Sequence, residues 1–230
     1  MNILPSRAPG FYGKLIHHGD FIGRRLPPSF VTRWDNWLQD CLDHARSQLG
    51  PIWMDTYLNS PLWRFLLIEQ TGCWSGVCMP SVDSVGRQFP LTLAMAMPPN
   101  TDLQSFMSTA DEWFVKLESL ALSTLRDDYD LATFEAALQS VRLDYPRVNA
   151  VPIERVLALD SVSQIQPVLS SLAVDLLHVA LVGQSLWWTQ GSALLAPVLI
   201  RCAGLPRPSL YCGMLNGQLT AAFANSESSD

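Results

Sequence analysis

Few stretches of this 230-residue chain bring chemically able side chains together, and the first is Gly10-Phe11-Tyr12-Gly13-Lys14. It has the look of half a phosphate-binding loop. Such a loop needs four residues between its glycines and a Ser or Thr after the lysine, whereas here two residues intervene and Leu15 follows. The pattern instead predicts a strand with a glycine where another backbone approaches. His17 and His18 are adjacent, so on a strand they point to opposite faces. His44 and His178 fall on separate predicted helices without a ligand partner one turn away, and Cys73 and Cys78 have no second thiol pair at zinc-site spacing. No metal site is expected. Gly72-Cys73-Trp74-Ser75-Gly76 lacks the spacing of a nucleophile elbow. Asp127 and Asp128 lie beside Arg126 and Asp130 in a join between helices, the setting of a solvated turn. No reaction and no cofactor is specified.

Two polar clusters remain. One joins Lys14 to His18-Gly19-Asp20-Phe21 and Arg24-Arg25; the other holds Ser81, Asp83, Gly86 and Arg87 ahead of Phe89-Pro90. A Gly-Arg step before a strand brings a guanidinium to a sheet end, where Asp83 or Asp20 can orient it through a bidentate pair. A binding role and a structural salt bridge both remain open for these loops. The pair Trp187-Trp188 is a third feature: on a strand one ring enters the core while the other lies on the opposite face. There it would suit an interface, or lie under a covering helix.

The elements that must position these groups are legible from punctuation and periodicity. Gly10 to Ile16 reads as a short strand, followed by a turn at His18-Gly19-Asp20. Ser29 is placed to cap a helix whose apolar face is Phe30, Trp34, Trp37, Leu38, Cys41, Leu42, Ala45 and Leu49, stopped by Gly50-Pro51. A short helix near Ile52 to Leu58 precedes three strand-length runs, Leu62 to Glu69, Gly76 to Pro80 and Phe89 to Met97. Short joins between them predict an antiparallel meander. One apolar stripe from Leu103 to Ala121 predicts a second long helix, and Leu131 to Val141 a third. The turn-rich stretch 144–152 is the only internal boundary. Beyond it the pattern predicts a helix from Ile165 to Val182, strands at Leu186 to Thr189 and Val198 to Cys202, a helix from Pro208 to Leu215, and a polar frayed tail. Strands on both sides of the helical middle predict one mixed, largely antiparallel sheet covered by helices, an α/β (α+β) single domain over 1–230.

Composition narrows the function classes. Apolar residues make up 48% and charged residues 16%, with a net charge of −6 and eight tryptophans. That hydrophobicity excludes disorder, and the acidic balance argues against nucleic-acid binding. No apolar run reaches the roughly 20 residues of a membrane-spanning helix, and the first residues lack a signal-peptide core. Five scattered cysteines fit free thiols in a reducing compartment. A cytoplasmic protein is expected.

The order of several motifs resembles a known family. Gly10-Phe11-Tyr12-Gly13-Lys14-Leu15, Gly19-Asp20-Phe21, Leu26-Pro27 and Phe30 with Trp34-Asp35 and Trp37-Leu38 look like the TagF (ImpM) family of bacterial type VI secretion accessory proteins. Ser81 to Leu91 and Ser185-Leu186-Trp187-Trp188 resemble its later motifs. The resemblance implies a longin- or profilin-like fold, with residues 9–143 as the TagF-like core and 153–223 as an extension packed on it. It further implies a post-translational negative regulator rather than an enzyme, one that binds a component such as the forkhead-associated-domain scaffold. On that reading aromatics nucleate the partner surface, Trp187 and Trp188 among them. The loops of Lys14, Asp20, Ser81, Asp83 and Arg87 would then supply a polar rim or its support. A homodimer stays open. The alternative is a small-anion site, phosphate-binding or hydrolytic, for which Lys14 and Arg87 would have to converge in a cleft.

Overall fold

The computed structural model of the chain describes residues 8–99, 101–143 and 180–219. The predicted helix at Ile165 to Val182 lies outside these residues apart from its last positions, as do the 144–152 boundary and the polar tail.

Strands β1 (Gly10–Gly13) and β2 (Ile22–Arg24) precede helix α1 (Pro28–Leu49), a 3-10 turn (Gly50–Ile52) and α2 (Trp53–Asn59). Strands β3 (Trp63–Glu69), β4 (Gly72–Met79) and β5 (Leu91–Met97) follow, then α3 (Leu103–Thr109), α4 (Asp111–Ser123) and α5 (Leu131–Ser140). After the undescribed segment come β6 (Gln184–Thr189), β7 (Val198–Ala203) and α6 (Pro208–Asn216). The strands form one open sheet in the order β2-β1-β5-β4-β3-β6-β7, with every pairing antiparallel. The mixed α/β fold expected from the sequence is therefore observed.

Both faces of the sheet are covered. Trp63, Phe65 and Leu67 of β3 face α1, α2 and α6, while Leu66 and Ile68 face α3, α4 and α5. This is why β3 and β4 read as continuous apolar runs rather than as alternating strands. Trp34 is fully buried, its ring stacked between Phe30 and Trp187 and its indole N–H donated to Thr92 Oγ1 at 2.9 Å. Trp37 donates to the Pro206 carbonyl at 2.7 Å, tying α1 to the approach of α6.

Four local readings differ from the structure. Ser29 does not cap α1; Pro27 stands at the cap without a side-chain bond and Pro28 opens the helix. A proline there supplies helical φ and lacks only an N–H that would be unpaired anyway. β4 begins at Gly72 rather than Gly76, because Glu69 and Gly72 pair across a two-residue hairpin. The stripe from Leu103 to Ala121 is two helices broken at Ala110. Ser108 and Thr109 turn their hydroxyls back onto the carbonyls of Gln104 and Ser105, a competition that loosens a helix end. β2 has no pattern of its own and exists through its pairing with β1.

Gly13 and Gly76 are among the glycines set by close backbone approach. A Cβ on Gly13, which has φ 145°, would lie 2.2 Å from the Pro90 carbonyl oxygen, in agreement with the strand reading of Gly10 to Lys14. A Cβ on Gly76 would lie 1.9 Å from the Leu93 oxygen on the neighbouring strand. Gly76→Ala is therefore expected to lower unfolding free energy by about 3 kcal/mol, the upper range for overpacking, in urea denaturation. Gly19→Ala, whose nearest neighbour is the Ser84 hydroxyl at 3.7 Å, should stay within about 0.5 kcal/mol of wild type.

Candidate functional site

The two polar segments meet at one end of the sheet, where the loop after β1 lies against the loop between β4 and β5. Asp83 sits at their junction with a side chain that is 0% exposed. Its Oδ2 is 2.9 Å from Lys14 Nζ and 2.7 Å from Arg87 Nε. Its Oδ1 accepts the backbone N–H of Val85 at 3.1 Å and of Arg87 at 2.8 Å. The loop can close this way because Gly86 has φ 83° and its N–H reaches the Asp83 carbonyl at 2.9 Å. Val82 and Gln88 then pair as a bridge below the turn.

The remaining members bind the two loops together. Ser81 is buried and donates its hydroxyl to the Lys14 carbonyl at 2.8 Å. Its backbone is clamped by Tyr57, whose hydroxyl donates to Ser81 O at 2.9 Å and accepts from Ser81 N at 3.0 Å. Arg87 also donates to the Gly19 carbonyl and lies 3.9 Å from Asp20 Oδ1, while 59% of its side chain stays exposed. Lys14 Nζ stands 5.2 Å from the centre of the Phe21 ring. That ring packs on Tyr12 and against the edge of Phe89 and is itself 46% exposed. Thus Lys14, Asp20, Ser81, Asp83 and Arg87, distant in sequence, share one cluster.

Its electrostatics are those of a closed pair. Burial alone would push the Asp83 carboxyl up, but Lys14, the Arg87 N–H and guanidinium, and the Val85 N–H outweigh it. Together they hold the group well below the usual carboxylate range. Such a carboxylate is a poor base, and the ammonium of Lys14 is matched to it. A small anion arriving here would compete with a carboxylate already in place. A cleft of about 500 Å³ lies between α1, α2 and α6, and a small apolar void lies beside Trp63 and Trp187. Neither is lined by Lys14 or Arg87.

Trp187 is corrected by the structure. It is 0% exposed, stacked on Trp34 and Phe65 beneath α1, with its indole N–H on Ser185 Oγ at 2.9 Å. A helix already covers that face, so Trp187 has no surface to offer a partner. Trp188 points to the other face, half-buried, its ring edge against Phe114 of α4 at 4.9 Å. His17 donates its ring Nε2–H to the Arg126 carbonyl at 2.9 Å, and the ring stacks on Tyr129. No group of three or more His, Cys, Asp or Glu that could hold a metal occurs among the described residues. The five cysteines are free, and burial pushes the Cys73 and Cys78 thiols up to about 12, so they stay protonated.

One charged group was not singled out by sequence reading. Arg64, the second residue of β3 and almost fully buried, makes a bidentate pair with Glu118 at 2.6 and 2.9 Å and a further pair with Asp111 at 2.6 Å. Its guanidinium also lies 5.3 Å from the centre of the Phe114 ring. A lone arginine inside an apolar strand run was the available signal, since a buried charge demands partners.

An open antiparallel sheet between two helical layers, with a polar knot closing one end, defines a mixed α/β protein. Within that class the model of the TagF N-terminal domain, type VI secretion system-associated, matches residues 10–141, and the chain belongs to this family. The chain is also similar to the crystal structure of PA0076 from Pseudomonas aeruginosa PAO1, with 39% identity and a TM-score of 0.78. That match covers 91% of this chain and 94% of the other. Comparison with curated protein sequences finds no match.

The knot has a pH signature. The folded Asp83 carboxyl titrates below its unfolded value of about 3.9, so its contribution is complete above about pH 4 and is lost as pH falls further. Asp83→Asn should flatten the acid limb of urea-unfolding free energy measured from pH 7 down to pH 2. It should also cost about 3–5 kcal/mol at pH 7, because Lys14 is left buried without its counter-charge. An unchanged acid limb would move that pH dependence to other carboxylates.

Proposed function

We propose that this chain is a cytoplasmic, post-translational negative regulator of a type VI secretion system. It acts by binding a component of the apparatus such as the forkhead-associated-domain scaffold. The observation that carries the reading is the family match over residues 10–141, which makes the chain type VI secretion-associated. The similarity to PA0076 along nearly the whole of both chains is in keeping with one shared architecture.

The geometry supports binding rather than turnover. Asp83 is held ionised by two cations and two backbone donors, so the cluster holds neither a base of useful strength nor an uncommitted lysine. Its rigidity suits a support instead: it fixes Arg87 and, through Lys14, the exposed ring of Phe21 in place without using their outer surfaces. Pre-ordered aromatic and arginine side chains lower the entropic cost of association. No helix among the described residues is long and apolar enough to cross a membrane.

Supplying the chain to cells that carry the apparatus should lower secreted effector without lowering the cellular level of apparatus components. Its deletion should raise secretion. Secretion that is indifferent to the chain would remove the regulatory reading, and a purified scaffold that fails to bind it would remove the named partner.

A further inference from the structure

The two edges of the sheet are built differently. β2 is three residues long, contains Gly23, and ends in Arg24, which is paired with Glu135 at 3.2 Å. The next residue, Arg25, has φ 62° and turns the chain away from the edge. A short, charged, sharply twisted edge is how sheets avoid unwanted pairing. β7 is longer and carries a single charge, Arg201. It runs six residues in unbroken register with β6, from Gln184↔Ala203 to Thr189↔Val198. It contains no proline, glycine or lysine, and no described strand pairs with its outer side. Alternate residues of such a strand direct their N–H and C=O away from the sheet.

The side chains of β7 divide accordingly. Val198, Ile200 and Cys202 pack toward the core face shared with α1 and α6. Leu199, Arg201 and Ala203 are exposed on the other face, Leu199 by 60%. Leu199 stands opposite Trp188, and Arg201 opposite Leu186, so the exposed residues continue a half-buried apolar strip. Arg201 has no carboxylate partner among the described residues.

We propose that β7 is a docking edge that receives an extended segment of a partner protein as an eighth strand. The segment would carry a carboxylate opposite Arg201 and an apolar side chain against Leu199. The backbone supplies affinity and the Leu199/Arg201 pair supplies register, as in other strand additions. A second copy of this chain is the less complementary occupant. The strand Val198–Ala203 contains no acidic residue, so a β7–β7 pairing gives Arg201 no counter-charge from the facing strand. The inference rests on the binding role proposed above and deepens it by naming the surface and the chemistry of the partner segment.

The test places the photo-crosslinking residue p-benzoylphenylalanine at Leu199, or at exposed Leu58 of α2 as a control, in cells carrying the apparatus. Adducts are mapped by mass spectrometry to the linked residue. An adduct from position 199 is expected on an apparatus component, within two residues of an Asp or Glu, and absent from position 58. Its yield should fall about tenfold with Arg201→Glu and persist with Arg201→Lys, as for loss of an interfacial charge pair. Both substitutions lie on an exposed position, and thermal unfolding confirms that each variant is folded. No adduct at 199, an adduct on a second copy of this chain, or a yield indifferent to Arg201→Glu overturns the proposal. Scaffold binding by the wild-type chain, measured separately, judges the functional reading. Scaffold binding without a 199 adduct leaves that reading and removes strand addition; a mapped 199 adduct on another component leaves strand addition and removes the scaffold.

Discussion

The central strands β3 and β4 have no solvent side. Every residue of β4 is buried, and so is every residue of β3 except Glu69. Two faces of apolar side chains must each be withdrawn from water, at roughly 25 cal/mol per Å², and here a helical layer does so on each face. The two layers follow: α1, α2 and α6 on one side, α3, α4 and α5 on the other. The tryptophans are used in the same way. Trp34 and Trp187 fill the first layer and Trp113 the second, which accounts for much of their abundance.

Such a sheet tolerates a charge only where its partners are brought to it. Arg64 shows how: α4 delivers Glu118 and Asp111 to one guanidinium, and Phe114 lies beneath it. Asp111 is available at the first turn of α4 because the helix restarts after Ala110. The break in the α3–α4 stripe and the burial of a cation in β3 are thus parts of one arrangement.

The polar knot around Asp83 obeys the same rule at the sheet end. Lys14 comes from the end of β1, Arg87 from the turn before β5, and the carboxylate from between them. Because β1 and β5 are neighbours in the sheet, these loops must meet, and the ion pairs then fix how they meet. What remains outside, Phe21, the free side of Arg87 and the outer side of β7, which no described strand pairs, is surface held in a defined place by interactions beneath it.

Much of this was legible in the residues. Phe30 to Leu49 repeats at helical spacing, and the runs around β3, β4 and β5 have strand length and short joins, since local periodicity reports burial directly. The motifs from Gly10 to Leu38 and from Ser81 to Leu91 carried the family resemblance, and they named every member of the Asp83 cluster. Other facts depend on residues far apart in the chain. Strand β2 exists only through β1, the order of β6 and β7 at one edge is a matter of pairing partners, and Arg64 is stable only because α4 lies above it. Whether Trp187 faced water or helix was undecidable from two adjacent indoles. The sequence determined most of the strands and helices, β2 and the break at Ala110 apart, and which loops hold charge, because those follow from neighbours along the chain. The tertiary structure alone decided which face is covered and which edge is left open, because burial and pairing are properties of what each strand lies against.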